Sequence, residues 1–112
     1  MATVEITKNL FEQIEKKFKA EAHKILDLLY TLEENPTKGK TLSNVAGLLI
    51  KELRYKSFRF YFIVDGQKIK ALNEEELVDI LLRFVRMSDK KHQQETITEI
   101  KHTLQTIGPQ GL

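Results

Sequence analysis

Apolar residues recur along the chain with two different periods. Residues 2–7 (ATVEIT) alternate apolar and polar, the pattern of a short half-buried strand. Leu10, Phe11, Ile14 and Phe18 then share one helical face, and Ala22, Ile25, Leu26, Leu29 and Leu32 repeat that spacing. The pattern predicts two helices joined near residues 19–21 and stopped by Asn35-Pro36. Asn9 is the expected N-cap, with Glu12 three residues later completing a capping box. The stretch ENPTKGKTLSN reads as a loop from its Pro, Gly, Ser and Asn content.

Period-2 alternation returns over residues 47–54 and is sharper over 58–64. There Phe58, Phe60, Phe62 and Val64 point one way, and Arg59, Tyr61 and Ile63 the other. Asp65-Gly66 signals a hairpin, with QKIKAL as a return strand or its beginning. Asn73 and the three glutamates after it read as a turn or a helical start. The apolar run over 77–87 is about strand length if it starts near Val78, with a helix open for its first half. Ser88 or Asp89 can cap a last helix carrying Ile97, Ile100, Leu104 and Ile107 on one stripe. GPQGL reads as a frayed tail within residues 107–112.

The resulting order is β-α-α-β-β-β-α, an α+β fold in one domain spanning residues 1–112. Two N-terminal helices are expected to pack on one face of an antiparallel sheet. The other face is expected to stay solvated and to carry Arg59 and Tyr61.

Charge sharpens this picture. The net charge is only +2, but it is unevenly distributed. Residues 50–70 hold six cations (Lys51, Arg54, Lys56, Arg59, Lys68, Lys70) against Glu52 and Asp65. Residues 83–92 hold Arg83, Arg86, Lys90 and Lys91 against Asp89, and every arginine lies between 54 and 86. Guanidinium groups fit phosphate in two-point contacts, so a local basic patch on a near-neutral chain points to a polyanionic partner. The chain has no cysteine, which removes a disulfide framework, a thiolate nucleophile and a cysteine metal site together. That fits a reducing cytoplasm. The N-terminus lacks the basic and apolar regions of a signal peptide, and VAGLLI is too short to span a bilayer. No metal cluster and no cofactor fingerprint is visible.

Four segments in order carry a family likeness: Gly39-Lys40-Thr41-Leu42, Glu52-Leu53-Arg54, Arg59-Phe60-Tyr61 and Phe84-Val85-Arg86. Together with the element order they resemble the RelE/ParE toxin superfamily of toxin–antitoxin modules, and its HigB-like branch most of all. The likeness spans about residues 39–104 by motif. It implies a metal-independent, ribosome-dependent mRNA endonuclease that activates a 2′-OH, neutralised by an antitoxin from a separate chain.

By position in that pattern, Arg54 and Arg59 are the arginine pair flanking the hairpin turn, Arg86 ends the last core strand, and His92 is the general acid or base. Arg59 and Arg86 are expected to hold transition-state charge. Lys51, Lys56, Lys90, Lys91 and Arg83 are expected to grip the RNA backbone, with Tyr61 as a stacking platform. The sequence departs from the pattern at Ile50, at Glu52 and in the acidic NEEE stretch. Two other functions therefore stay open: an inactive relative serving as an interaction or RNA-binding module, and a gyrase inhibitor of the ParE kind.

Overall fold

A computed structural model describes residues 1–72 and 78–112. The NEEE stretch and Leu77 lie outside the described residues. The fold is α+β, built on a five-stranded sheet of order β1-β5-β4-β3-β2. Its strands are β1 (Ala2–Ile6), β2 (Lys40–Val45), β3 (Leu48–Tyr55), β4 (Phe58–Asp65) and β5 (Ile80–Asp89). The pairings β2–β3, β3–β4 and β4–β5 are antiparallel, and β1–β5 is parallel.

β1 leads into α1 (Lys8–Phe18), whose N-cap is Thr7, its hydroxyl accepting the Leu10 N–H at 3.4 Å. The expected cap, Asn9, lies inside the first turn. The helix break near residues 19–21 is present. Lys19 takes a positive φ of 50° and opens a short 3-10 turn before α2 (Ala22–Tyr30). Leu10, Ile14, Ile25, Leu29 and Leu32 pack these helices onto Phe60, Phe62, Leu82 and Phe84.

Two elements differ from the sequence expectation. The expected loop over ENPTKGKTLSN contains β2, which turns into β3 through Ala46 and Gly47, both at positive φ. Two such residues in a row twist a tight hairpin turn in the sense its strands require. Gly39 at the start of β2 has φ +102°, and a Cβ there would lie 3.0 Å from the Phe62 ring. Asp65-Gly66 does not turn a hairpin. The Asp65 carboxylate accepts the N–H groups of Gln67 and Lys68 at 2.9 and 3.1 Å and starts α3 (Gly66–Leu72), so QKIKAL is helical.

The alternation along β4 is as expected, but neither face of the sheet is left to solvent. α4 (Gln93–Thr106) lays Ile97, Ile100 and Leu104 over Val45, Ile50, Tyr61, Ile63 and Val85. Leu112 joins this second core at 8% exposure, and residues 109–111 form a 3-10 turn. The expected frayed tail is therefore packed at its last residue. No helix among the described residues is long and apolar enough to cross a membrane.

Candidate functional site

The turn-and-strand end of the sheet, where β3 meets β4 and β5 meets α4, gathers part of the predicted basic patch. Arg54 and Arg59 are directly paired across β3 and β4, and Arg59 is paired with Ser88 across β4 and β5. Their environments differ sharply. Arg54 is exposed, its Nε 3.7 Å from Glu52 Oε1. Arg59 is 5% exposed. Its Nη1 donates to the Ser57 carbonyl at 3.0 Å and its Nε lies 4.0 Å from Glu52 Oε2. Glu52 is itself 2% exposed and accepts a long 3.4 Å bond from Gln93 Nε2 at the start of α4. Glu52 Oε1 and Arg59 Nε have no hydrogen-bond partner. Both sit under α4, so Arg59 does not stand on an open face as the alternation alone suggested.

Tyr61 is fully buried and its hydroxyl bonds Ser88 Oγ at 2.7 Å. Burial pushes its phenol above the usual tyrosine range. A ring buried beneath α4 is not the expected stacking platform. Lys51 points to the opposite face, 3% exposed, with Nζ 5.7 Å from the Phe62 ring centroid and donating to the Thr37 carbonyl at 3.2 Å. Desolvation lowers its pKa. It cannot grip an external backbone in this position.

The remaining cations separate into four places. Lys56, at φ 54° in the β3–β4 turn, reaches Glu21 at 3.3 Å, and that hydrogen bond raises its pKa. Arg83 bonds Glu5 at 3.0 Å and the Pro109 carbonyl at 2.8 Å, away from the hairpin tip. Arg86 bonds Glu99 of α4 at 2.7 Å and the Val85 carbonyl at 2.8 Å. The register slips between Tyr61 and Phe62, leaving Val85 unpaired in the β4 register, while Arg86 stays paired with Tyr61, two residues along from the Arg59–Ser88 pair. Lys90 and Lys91 are exposed in the turn before α4.

His92 is exposed at the N-cap of α4 and forms a dyad with Asp89. Asp89 Oδ1 accepts the His92 backbone N–H at 2.8 Å and lies 2.8 Å from His92 Nδ1. The backbone bond, followed by the ring bond, holds the Asp89 carboxyl below its usual range. This arrangement leaves Nε2 for proton transfer. His92 also lines a groove of 430 Å³ with Lys16 and Lys17 of α1 and with Phe58 and Met87.

The sequence reading missed Glu52 as an arginine partner, Asp89 as the partner of His92, and the two α1 lysines. Glu52 and Arg54 are two apart on one strand, and Asp89 and His92 three apart at a helix start, so both relationships leave a spacing signal. The lysines leave none, because a charged helix back looks the same whether or not a groove adjoins it. Among the described residues no group of three or more His, Cys, Asp or Glu side chains could hold a metal ion. No protein-family model, no curated protein and no solved structure matches this chain.

Proposed function

We propose that the chain is a RelE-like endoribonuclease toxin that cuts mRNA on the ribosome and is neutralised by an antitoxin from a separate chain. The observation that carries this reading is the 2.8 Å contact between His92 Nδ1 and Asp89, which presents Nε2 beside a lysine-lined groove. In the proposed step a 2′-OH gives up its proton and its oxygen attacks the adjacent phosphorus. The bond from phosphorus to the 5′ oxygen breaks, and that oxygen takes a proton. The products are a 2′,3′-cyclic phosphate and a 5′-hydroxyl. His92 serves as the general base or acid. Arg54, Lys90 and Lys91 supply exposed positive charge at the same end of the sheet.

A second reading, a binding module without cleavage, is favoured by a specific observation. Glu52 faces Arg59 and Glu99 holds Arg86, so two of the expected charge-stabilising arginines are already neutralised. Inducible expression separates the two readings. The nuclease reading expects growth arrest with new mRNA 5′ ends from the wild type, and neither from His92→Ala at equal soluble yield. Soluble expression without arrest or cleavage supports the binding module. Arrest without cleavage supports a different target such as gyrase.

A further inference from the structure

β1 ends at Ile6, opposite Phe84, and Thr7 then bonds the Phe84 carbonyl at 3.1 Å and caps α1. Beyond that point α1 leaves the sheet. Residues 86–89 of β5 keep β4 on one side, with Val85 bulged next to them, and among the described residues no strand pairs with their other side. An unpaired strand edge presents backbone N–H and C=O groups. Here it forms the floor of two adjoining grooves of 430 Å³ each. One is lined by Asn9, Glu12, Val85 and Arg86, the other by Phe58, Met87 and His92. Gln13 and Lys16 line both, so the two adjoin along α1.

We infer that this trough, between α1 and the start of α4, is the path of a single RNA strand. The inference rests on the ribonuclease reading and adds the route of the substrate. The chemistry along the trough suits a polynucleotide. Lys16 and Lys17 stand on one wall and make no ion pair among the described residues. Lys16 is open to a phosphate, and Lys17, which also helps to lower the Asp89 carboxyl, stands beside it. Lys17 Nζ lies 5.3 Å from the Phe58 ring centroid, so a phosphate held there brings its base toward an aromatic and thioether surface. The backbone of residues 85–89 can donate to phosphate and sugar oxygens. His92 stands at the end of the trough where Lys17 lies.

Two acids also face the trough. Asp89 is held by His92, and Glu12 stands at the far end, while Glu99 engages Arg86. The alternative route over the sheet is closed, because α4 covers Arg59 and Tyr61.

The test is binding of a fluorescent, fully 2′-O-methylated uridine decamer, which cannot be cut, to the purified chain. Lys16→Glu/Lys17→Glu is expected to weaken binding at least tenfold with an unchanged melting curve. Lys68→Glu/Lys70→Glu, the same charge change on α3, is expected to alter it less than threefold. Lys16→Ala/Lys17→Ala is expected to reduce the slope of log affinity against log salt by about 1.4, the value for two phosphate contacts on a single strand. Wild-type affinity in the α1 double variant overturns the inference. So does failure of the wild type to bind the decamer, which turns the trough into a candidate protein-docking surface. Cleavage of unmodified RNA is scored separately. Lysine-dependent binding without cleavage keeps the route and rejects the nuclease, and cleavage without dependence on these lysines does the reverse.

Discussion

Arg59 lies diagonally across from Glu52 beneath the first turn of α4, Nε 4.0 Å from Oε2, and neither group is more than 5% exposed. The pair is buried but poorly saturated, since Arg59 Nε and Glu52 Oε1 lack hydrogen bonds. Removing one partner strands the other charge out of water. Glu52→Ala is therefore expected to cost about 3–5 kcal/mol in urea denaturation. Replacing both, as Glu52→Leu/Arg59→Met, is expected to be neutral or stabilising. A large loss in the double variant contradicts this account of the pair.

Lys51 is a second buried charge, with one hydrogen bond where an ammonium has three to give. Its native pKa is depressed by desolvation, so the unfolded chain binds more protons between that value and 10.5. Stability from this group rises with pH across that window. Lys51→Met is expected to stabilise the chain by about 1–2 kcal/mol at neutral pH and to remove that rise. Equilibrium unfolding from pH 7 to 10.5 checks both effects, and destabilisation in the variant contradicts them.

Glu52, Arg59 and Lys51 show why the site was only partly legible in the sequence. The alternation of β4 follows from backbone geometry and could be read directly. Which face is buried depends on α4, and its stripe of Ile97, Ile100 and Leu104 says that it packs, not where. Glu52 and Arg59, which α4 buries, therefore looked exposed, while Lys51 is buried on the opposite face over Phe62. β2 was hidden because Ser43 and Asn44, following Gly39, resemble a loop, while β3 supplies the pairing that makes them a strand. α3 was hidden because Asp65-Gly66 serves equally as a turn or as a helix start. That Glu99 engages Arg86 follows from where α4 docks, which alternation cannot foresee.

Tyr61 and Ser88 form a buried hydroxyl pair at 2.7 Å. Tyr61→Phe leaves the Ser88 hydroxyl without that partner and is expected to cost about 1–3 kcal/mol. The native phenol pKa is raised above 10.0, mainly by burial. The native chain thus keeps its proton while the unfolded chain loses it, and stability falls as pH rises past 10. The variant is expected to lose that alkaline decline. An unchanged decline contradicts the assignment.

The Asp89 carboxyl is held below 3.8 by the backbone and ring bonds from His92. Its contribution is fully present above pH 3.8 and is lost as pH falls through the lowered native value. Asp89→Asn is expected to narrow the stability gap from the wild type as the pH drops from 5 to 2. A gap constant over that range contradicts the dyad.

The central claim is that His92 moves the proton in a cleavage driven by the 2′-OH. The most direct measurement is end-group analysis of RNA incubated with programmed ribosomes and either the wild type or His92→Ala. The wild type is expected to leave 2′,3′-cyclic phosphate and 5′-hydroxyl ends, and the variant to form them at least 100-fold more slowly, in the range of general acid–base contributions. Products with 5′-phosphate ends, equal rates from the two proteins, or no cleavage by the wild type would contradict it.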